Sequence, residues 1–265
     1  MINIIDTNKL KDVFPVLEDI ISTAGRLAYS QQFNNEKRKV MYKEDNSPVT
    51  DADMKTESLI RNLIAAEFDN ISVLGEEFGL DDRGSEWRFV VDPIDGTRSF
   101  MAGIPLWGTL IGLEHEGDPV LGAMYCPLYE KVLIGAPSVG CFFGGKEITI
   151  KDDVNDLSKV RAIINDFQLV AKHDHHGFVN ELINKVAQIR GWGDAHGYLM
   201  VATGRADLMF DPYIEYYDVA AIRPIIEAAG GKFSSLSGAR DFSENNAIAA
   251  APRIHEMILE IINNL

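Results

Sequence analysis

The sequence predicts a layered sandwich of sheets and helices, of the α/β or α+β class, in place of a doubly wound parallel sheet. Two observations carry this. Helical and strand patterns are interleaved along the chain, and hairpin signals sit among the strands, at Gly117–Asp118 between two apolar runs and at Gly144–Gly145 after another. The 265 residues suffice for one unit with a full hydrophobic core. A polar, acidic stretch at 152–156 separates two expected subdomains, about 1–153 and about 154–265. No internal repeat or low-complexity tract interrupts this organisation.

The elements follow in order. Over 8–33, Leu10, Val13, Phe14, Leu17, Ile20, Ile21, Ala24, Leu27 and Ala28 recur at the spacing of an amphipathic helix, with Pro15 inside it. Residues 34–43 are polar, with Lys37–Arg38–Lys39, and read as a solvated loop. Thr50 is an N-cap for a helix to about Phe68, with Asp51 and Asp53 in its first turn, where the dipole favours anions. A strand at 71–74 ends in Gly75–Glu76–Glu77, and a buried strand at 88–91 is expected to end at Pro93, which has no N–H. Strands at 108–116 and 119–126 form a hairpin, and 131–136 and 141–143 extend the sheet. Beyond the boundary come a strand (160–165), a helix (179–188), a short helix (193–204) and a strand (206–210) running into Asp211–Pro212. Asp218 is the expected N-cap of a helix to Ala229, closed by Gly230–Gly231. A strand at 248–251 and a helix opened by Pro252 complete the chain.

Composition narrows the function. Forty acidic against 25 basic residues give a formal charge of −15, the wrong sign for a general nucleic-acid or anionic-membrane binder. No apolar run reaches the roughly 18 residues of a membrane span, and the first residues show neither a basic stretch nor a cleavage site. Cys126 and Cys141 lack metal-binding spacing and read as reduced core thiols of a cytoplasmic protein.

The chemistry concentrates in Trp87–Phe100, WRFVVDPIDGTRSF. An apolar strand delivers Asp92 and Asp95 onto a stiff turn. Gly96 lets a backbone N–H approach an anion, and Thr97 adds a hydroxyl. Carboxylates beside a phosphate cradle suit Mg²⁺, a hard cation that commonly shares phosphate oxygens with the protein. The plain alternative is a surface turn. An aspartyl-phosphate mechanism of the haloacid-dehalogenase type needs its nucleophile where Pro93 stands, and the run before Asp51–Ala52–Asp53 is not a buried strand, so metal-activated water is the better reading. Glu76 and Glu77, at a neighbouring strand end, converge with Asp92 on one cation or form an acidic loop. The cluster Lys172–His173–Asp174–His175–His176 has spacing for a transition metal but no supporting Cys or Glu-x-x-His, and reads as a solvated loop.

Taken together, Ser47–Pro48–Val49–Thr50–Asp51–Ala52–Asp53, Gly75–Glu76–Glu77, Asp92–Pro93–Ile94–Asp95–Gly96–Thr97 and Asp218–Val219–Ala220–Ala221 with Ala229–Gly230–Gly231 resemble the motifs of the inositol monophosphatase superfamily, in order, over nearly the whole chain. The resemblance implies a five-layer αβαβα sandwich, inositol monophosphatase/fructose-1,6-bisphosphatase-like. It also implies a homodimer and Mg²⁺-dependent, Li⁺-sensitive hydrolysis of a small phosphomonoester. Carried across, Glu76, Asp92 and the carbonyl of Ile94 hold one Mg²⁺, and Asp92, Asp95 and Asp218 a second, with two or three ions per site. The N–H groups of Gly96 and Thr97 hold the phosphate. Asp53 orients Thr97, which positions the attacking water, and Glu77 is a supporting acid. The loop 34–43 is the expected flap.

The resemblance also frames the substrate. The expected lining is Asp194, Ala195, Asp211 and Glu215. Where inositol monophosphatases usually have Gly-Ser-Ala and a Trp before the last metal-binding Asp, this chain has Asp194 and Tyr217. With the strand from Trp107, these departures resemble the histidinol-phosphate phosphatase branch. An anionic lining suits a leaving group bearing an ammonium. Inositol 1-phosphate is the alternative. A 3′(2′),5′-bisphosphate nucleotide is a further one, for which Arg190 and Arg205 are the candidate cations. A non-catalytic regulatory protein would be expected to have lost metal acids, yet Asp53, Glu76, Asp92, Asp95 and Asp218 are all present.

Overall fold

A computed structural model describes residues 9–33, 40–42, 48–240 and 243–265, of which 40–42, 48 and 49 through their backbone. The first half comprises α1 (Leu10–Gln32), β1 (Val40–Tyr42), β2 (Pro48–Thr50), α2 (Asp51–Glu67), β3 (Ser72–Gly75), β4 (Gly79–Asp81), β5 (Trp87–Asp95) and α3 (Thr97–Met101). The strands β6 (Gly108–His115), β7 (Asp118–Cys126), β8 (Lys131–Ala136), β9 (Gly140–Phe143) and β10 (Lys146–Ile148) follow. The second half comprises β11 (Arg161–Ile164), α4 (Phe167–Lys172), α5 (His176–Lys185), β12 (Gln188–Arg190), α6 (Asp194–Ala202), β13 (Leu208–Asp211), α7 (Tyr216–Ala228), β14 (Lys232–Ser234), β15 (Ala247–Ala250) and α8 (Pro252–Ile262).

Two sheets result. Eight strands run in the order β10-β9-β8-β7-β6-β5-β3-β4, and only the β3–β5 pair is parallel. Five run in the order β12-β11-β13-β15-β14, with β11 parallel to both neighbours. Both faces of each sheet are covered, which is why the strands read as near-continuous apolar runs. Alternate residues sort the two faces. Ile111, Leu121, Ala123 and Ile134 pack under Leu17 and Ile21 of α1 and Ile60 and Ile64 of α2. Leu110, Met124 and Leu133 point the other way, onto α6 and α7, whose far side meets Ile163, Met209 and Ala249 of the smaller sheet. Ala162, Ile164, Leu208 and Phe210 face outward again, onto α5 and α8. The order is therefore helix, sheet, helix, sheet, helix.

The middle helix layer sits unusually close to the large sheet. Gly112 and Gly122 are cross-strand partners, and a Cβ on either would lie 2.4 Å from the Ala220 carbonyl oxygen or 1.8 Å from that of Ala221. The backbone of α7 rests directly on these glycines.

Pro15 lies within α1, as its position predicts, on the exposed side of the helix. Several elements differ from the sequence expectation. The strand through Pro93 does not stop there. β5 continues to Asp95 across a register shift between Asp92 and Asp95. A bulge needs no ladder N–H at that point, and the Pro93 carbonyl is taken by the Thr109 hydroxyl at 2.9 Å. The helix expected at 179–188 begins at His176 and ends at Lys185, because Gln188–Arg190 pairs with β11 instead. The three-residue strands β4 and β14 and the short α3 and α4 are too brief for a periodic signal. The expected flap at 34–43 lies outside the described residues apart from β1. Both cysteines are buried and free. No helix among the described residues is long and apolar enough to cross a membrane.

Candidate active site

Asp92 and Asp95 stand at the end of β5, which the bulge aims towards the middle helix layer. The Asp92 carboxylate accepts the Ile94 N–H at 2.9 Å, closing the turn on itself. Gly96 takes a φ of +91°, a left-handed conformation that favours glycine, and α3 starts at the next residue. The Thr97 hydroxyl donates to the Ile94 carbonyl at 3.2 Å.

Asp218 arrives from the other direction. It is the expected N-cap of α7, but the helix begins three residues earlier than that, at Tyr216. Glu215 is the cap, and Asp218 occupies the third helical position, accepting the Glu215 N–H at 3.2 Å. An acid at that position completes a capping box and still presents its other oxygen outward. Tyr216 anchors this end of α7 to the large sheet, donating its hydroxyl to buried Glu114, which also pairs with Arg88 at 2.6 Å.

One carboxylate oxygen from each of Asp92, Asp95 and Asp218 lies within 4.8 Å of the others. Bringing three acids together in a buried place makes each hard to ionise. Burial raises Asp92 well above the ordinary carboxylate range, with Glu76, Asp218 and Asp95 adding repulsion. Asp95 is raised by burial and then by Asp218, Asp194 and Asp211, against which the Ala195 N–H donates to it. Asp218 is pushed up to about 7, chiefly by burial. Glu76 is outside this tight group but lines the same cleft. It sits in the turn between β3 and β4, and its N–H donates to the Val91 carbonyl at 3.1 Å.

Asp53 is buried at the third position of α2. Its carboxylate accepts both the N–H (2.8 Å) and the hydroxyl of Thr50, and burial raises it to about 6. Its expected hydrogen bond to Thr97 is not formed: the capping box engages Asp53, and Thr97 turns to Ile94 instead. Glu77 is held by its backbone and does not line the cleft.

The cleft has a volume of about 630 Å³ and also takes in Asp194, Asp211 and Glu215. Asp194 opens α6 at a φ of +53°, strained for a residue with a Cβ. Its N–H donates to the Asn165 side chain at 3.0 Å, and its carboxylate packs against Gly96, where a Cβ would meet it at 2.9 Å. Burial raises it to about 6. Asp211, 3% exposed, accepts from Asn165 at 3.2 Å through both oxygens and from the Tyr198 hydroxyl at 3.3 Å. Glu215 accepts the Tyr213 hydroxyl at 2.6 Å. Ala195 is fully buried and serves through its N–H on Asp95. Arg190 and Arg205 are not in the lining, and Arg205 instead lies over the Tyr129 ring at 4.9 Å. The histidine cluster forms no metal-ligating group among the described residues. His173 stacks on Tyr213 at 4.9 Å between centroids.

The sequence reading passed over Asn165 and Glu57. Asn165 is a polar residue just after an apolar strand, with Asp166 beside it. Glu57 falls on the buried side of α2 at the spacing Asp53, Glu57, Ile60, Ile64, and a charge on that face was the available signal.

These shifts set a pH dependence. A carboxyl raised from 3.8 to about 7, as in Asp218, or to about 6, as in Asp53 and Asp194, binds its proton more tightly in the folded state. Its stabilising contribution is full below the unfolded value and is lost as pH rises through the folded one. The metal-free protein is therefore expected to melt at progressively lower temperature as pH rises from about 4 to about 7. Saturating divalent cation is expected to flatten or reverse that slope by favouring the ionised acids. Thermal melts across this range, with chelator and with cation, check both; a slope of the opposite sign in chelator would refute the assignment of crowded, protonated acids.

The chain is 33% identical over 233 residues to a histidinol-phosphatase of Chlorobaculum parvum, covering 88% of this chain and 89% of that one. It is 29% identical over 243 residues to an inositol-1-monophosphatase of Mesorhizobium japonicum, covering 89% and 90%. Among solved structures, the extragenic suppressor protein suhB from Bartonella henselae superposes with a TM-score of 0.87 at 25% identity, over 95% of this chain and 98% of that one. The inositol monophosphatase family matches residues 10–265. With its layered fold and clustered acids, the chain belongs to the inositol monophosphatase family, and it is a phosphatase of phosphate monoesters.

Proposed function

We propose that this phosphatase hydrolyses histidinol phosphate with Mg²⁺. The observation that carries the substrate is the acidic lining beside the carboxylate triad. Asp194 is held in a left-handed conformation that costs about 1–3 kcal/mol, and Asn165 keeps it there. Glu215 extends the same sign along the cleft, and Asp211 adds a further carboxyl that burial raises well above the ordinary carboxylate range. Such a lining attracts a leaving group that bears an ammonium and offers a neutral polyol less. The relative from Chlorobaculum parvum carries the matching name. Arg190 and Arg205, the candidate cations for a second phosphate, are not in the lining, and its cations, Arg98 and Lys172, are outnumbered by acids.

The residues fit the metal. Three carboxylates with converging oxygens, that of Asp92 buried and those of Asp95 and Asp218 half-buried, and no cation among them are a hard-oxygen donor set that favours Mg²⁺. Asp92, Asp95 and Asp218, with Glu76 and the Ile94 carbonyl, would hold two or three ions. When bound, Mg²⁺ offsets the charge of the phosphate dianion, acidifies a water and stabilises the leaving alkoxide. The chain supplies the remainder. Gly96 and Thr97 offer N–H groups to the phosphate, and the Thr97 hydroxyl orients the attacking water. Asp53 stiffens the start of α2, Glu77 adds negative charge behind Glu76, and the acidic lining aligns the leaving group. A cytoplasmic, lithium-sensitive homodimer belongs to the same reading, on the family resemblance.

The experiment is phosphate release with Mg²⁺ from L-histidinol phosphate, inositol 1-phosphate and adenosine 3′,5′-bisphosphate. Histidinol phosphate is expected to lead, and Asp194→Ser to raise its KM about 10-fold or more, an ordinary magnitude for one buried charge contact. A preference for inositol phosphate, unchanged by Asp194→Ser, would reject the acidic-lining argument.

A further inference from the structure

We infer that Glu57 and Arg61 of α2 form a brace that positions Glu76 for the cation. The inference rests on the reading of Glu76 as a metal ligand.

Glu76 lies in a three-residue turn, a weak mount for a ligand unless something holds it. Glu57 does. Its side chain is fully buried. One carboxylate oxygen accepts the Glu77 N–H at 2.7 Å, and the other accepts the Phe78 N–H at 3.3 Å and Nε of Arg61 at 2.8 Å. Arg61 reaches on to the Gly79 carbonyl and towards that of Val73, so it spans both strands of the β3–β4 hairpin. The fit leaves no slack: a Cβ on Gly75 would lie 1.9 Å from the Glu57 oxygen. Three successive N–H groups are thereby tied, that of Glu76 to the Val91 carbonyl on β5 and the next two to α2. Glu76 is thus referenced to the strand that carries Asp92 and to the helix that carries Asp53.

The chemistry requires a carboxylate. Three donors converge on Glu57, and a carboxylate is acceptor-only with two oxygens. Glutamine has the same shape but turns an NH₂ towards one of those donors, and a buried donor facing a donor forces the turn to open. Partners that orient metal ligands typically cost 10- to 100-fold in metal affinity when changed.

The test is calorimetric titration of the metal-free protein with Mg²⁺. Glu57→Gln is expected to weaken binding about 10- to 100-fold. The Mg²⁺ concentration for half-maximal activity should rise in parallel, while KM at saturating Mg²⁺ stays within about twofold of wild type. Ile64→Ala is the comparison, since it opens a cavity in the same helix away from the turn and is expected to lower the melting temperature without changing Mg²⁺ affinity. Arg61→Gln keeps the Glu57 acceptors and serves if Glu57→Gln does not fold; it is expected to weaken Mg²⁺ binding in the same direction. Wild-type affinity in the folded Glu57→Gln or Arg61→Gln protein, or an equal loss in Ile64→Ala, overturns the brace. No Mg²⁺ binding by the wild type overturns the metal reading and the brace with it.

Discussion

Asp92→Asn is expected to lower kcat/KM for phosphate-ester hydrolysis by about a thousandfold or more, some 4 kcal/mol of transition-state stabilisation, while the protein stays folded. Asp92 is crowded by other acids, with Glu76, Asp218 and Asp95 all adding to its raised pKa. In the proposed metal arrangement it contributes to both cations. Asparagine keeps the shape and still accepts the Ile94 N–H that closes the turn, so the backbone has no reason to move. Losing one of several crowded negative charges is expected to leave the metal-free melting temperature unchanged or raise it. Circular dichroism, melting in chelator and phosphate release measure the three separately. Near-wild-type turnover in a folded Asp92→Asn protein would sink the site assignment.

Gly122→Ala is expected to destabilise the protein by about 3 kcal/mol or more, at the upper end for an overpacked core. For a chain of this size that lowers the melting temperature by roughly 10 °C. The added methyl would sit 1.8 Å from the Ala221 carbonyl oxygen and 2.7 Å from its carbon, and a helix backbone cannot rotate aside as a side chain can. α7 must lift from β6 and β7, and α7 carries Asp218. A displacement near 1 Å at a reacting centre can cost about 100-fold in rate, so activity is expected to fall even at temperatures where the variant is fully folded. Gly177→Ala is the contrast. It lies in α5 with its nearest neighbour 3.8 Å away, and it is expected to be neutral or slightly stabilising. Equal melting temperatures for Gly122→Ala and wild type would show that the close approach of helix and sheet is not held tightly.

The sequence by itself determined the features whose causes are local. Thr50 caps α2 with Asp53 returning to it, as its spacing indicates, because a capping box is completed within four residues. The apolar runs of β6, β7 and β8 announce strands buried on both faces, since alternate residues need separate cores. The pair Asp92 and Asp95 before Gly96 marks the site, because turn geometry is set by adjacent residues. Even here one local rule failed: Pro93 was expected to end its strand, and pairing with β6 carried the strand past it through a bulge. Only the tertiary structure decided the rest. Asp218 reaches the triad because two glycines let α7 lie on the sheet. Asn165 turns Asp194 and fixes Asp211, and Glu57 grips the turn of Glu76, across gaps in sequence that no periodicity spans. The physical reason is one of range. Capping, turns and amphipathic faces act over a few residues and leave a pattern in the sequence, whereas the meeting of groups from different layers depends on how the layers pack, which no short window of sequence records.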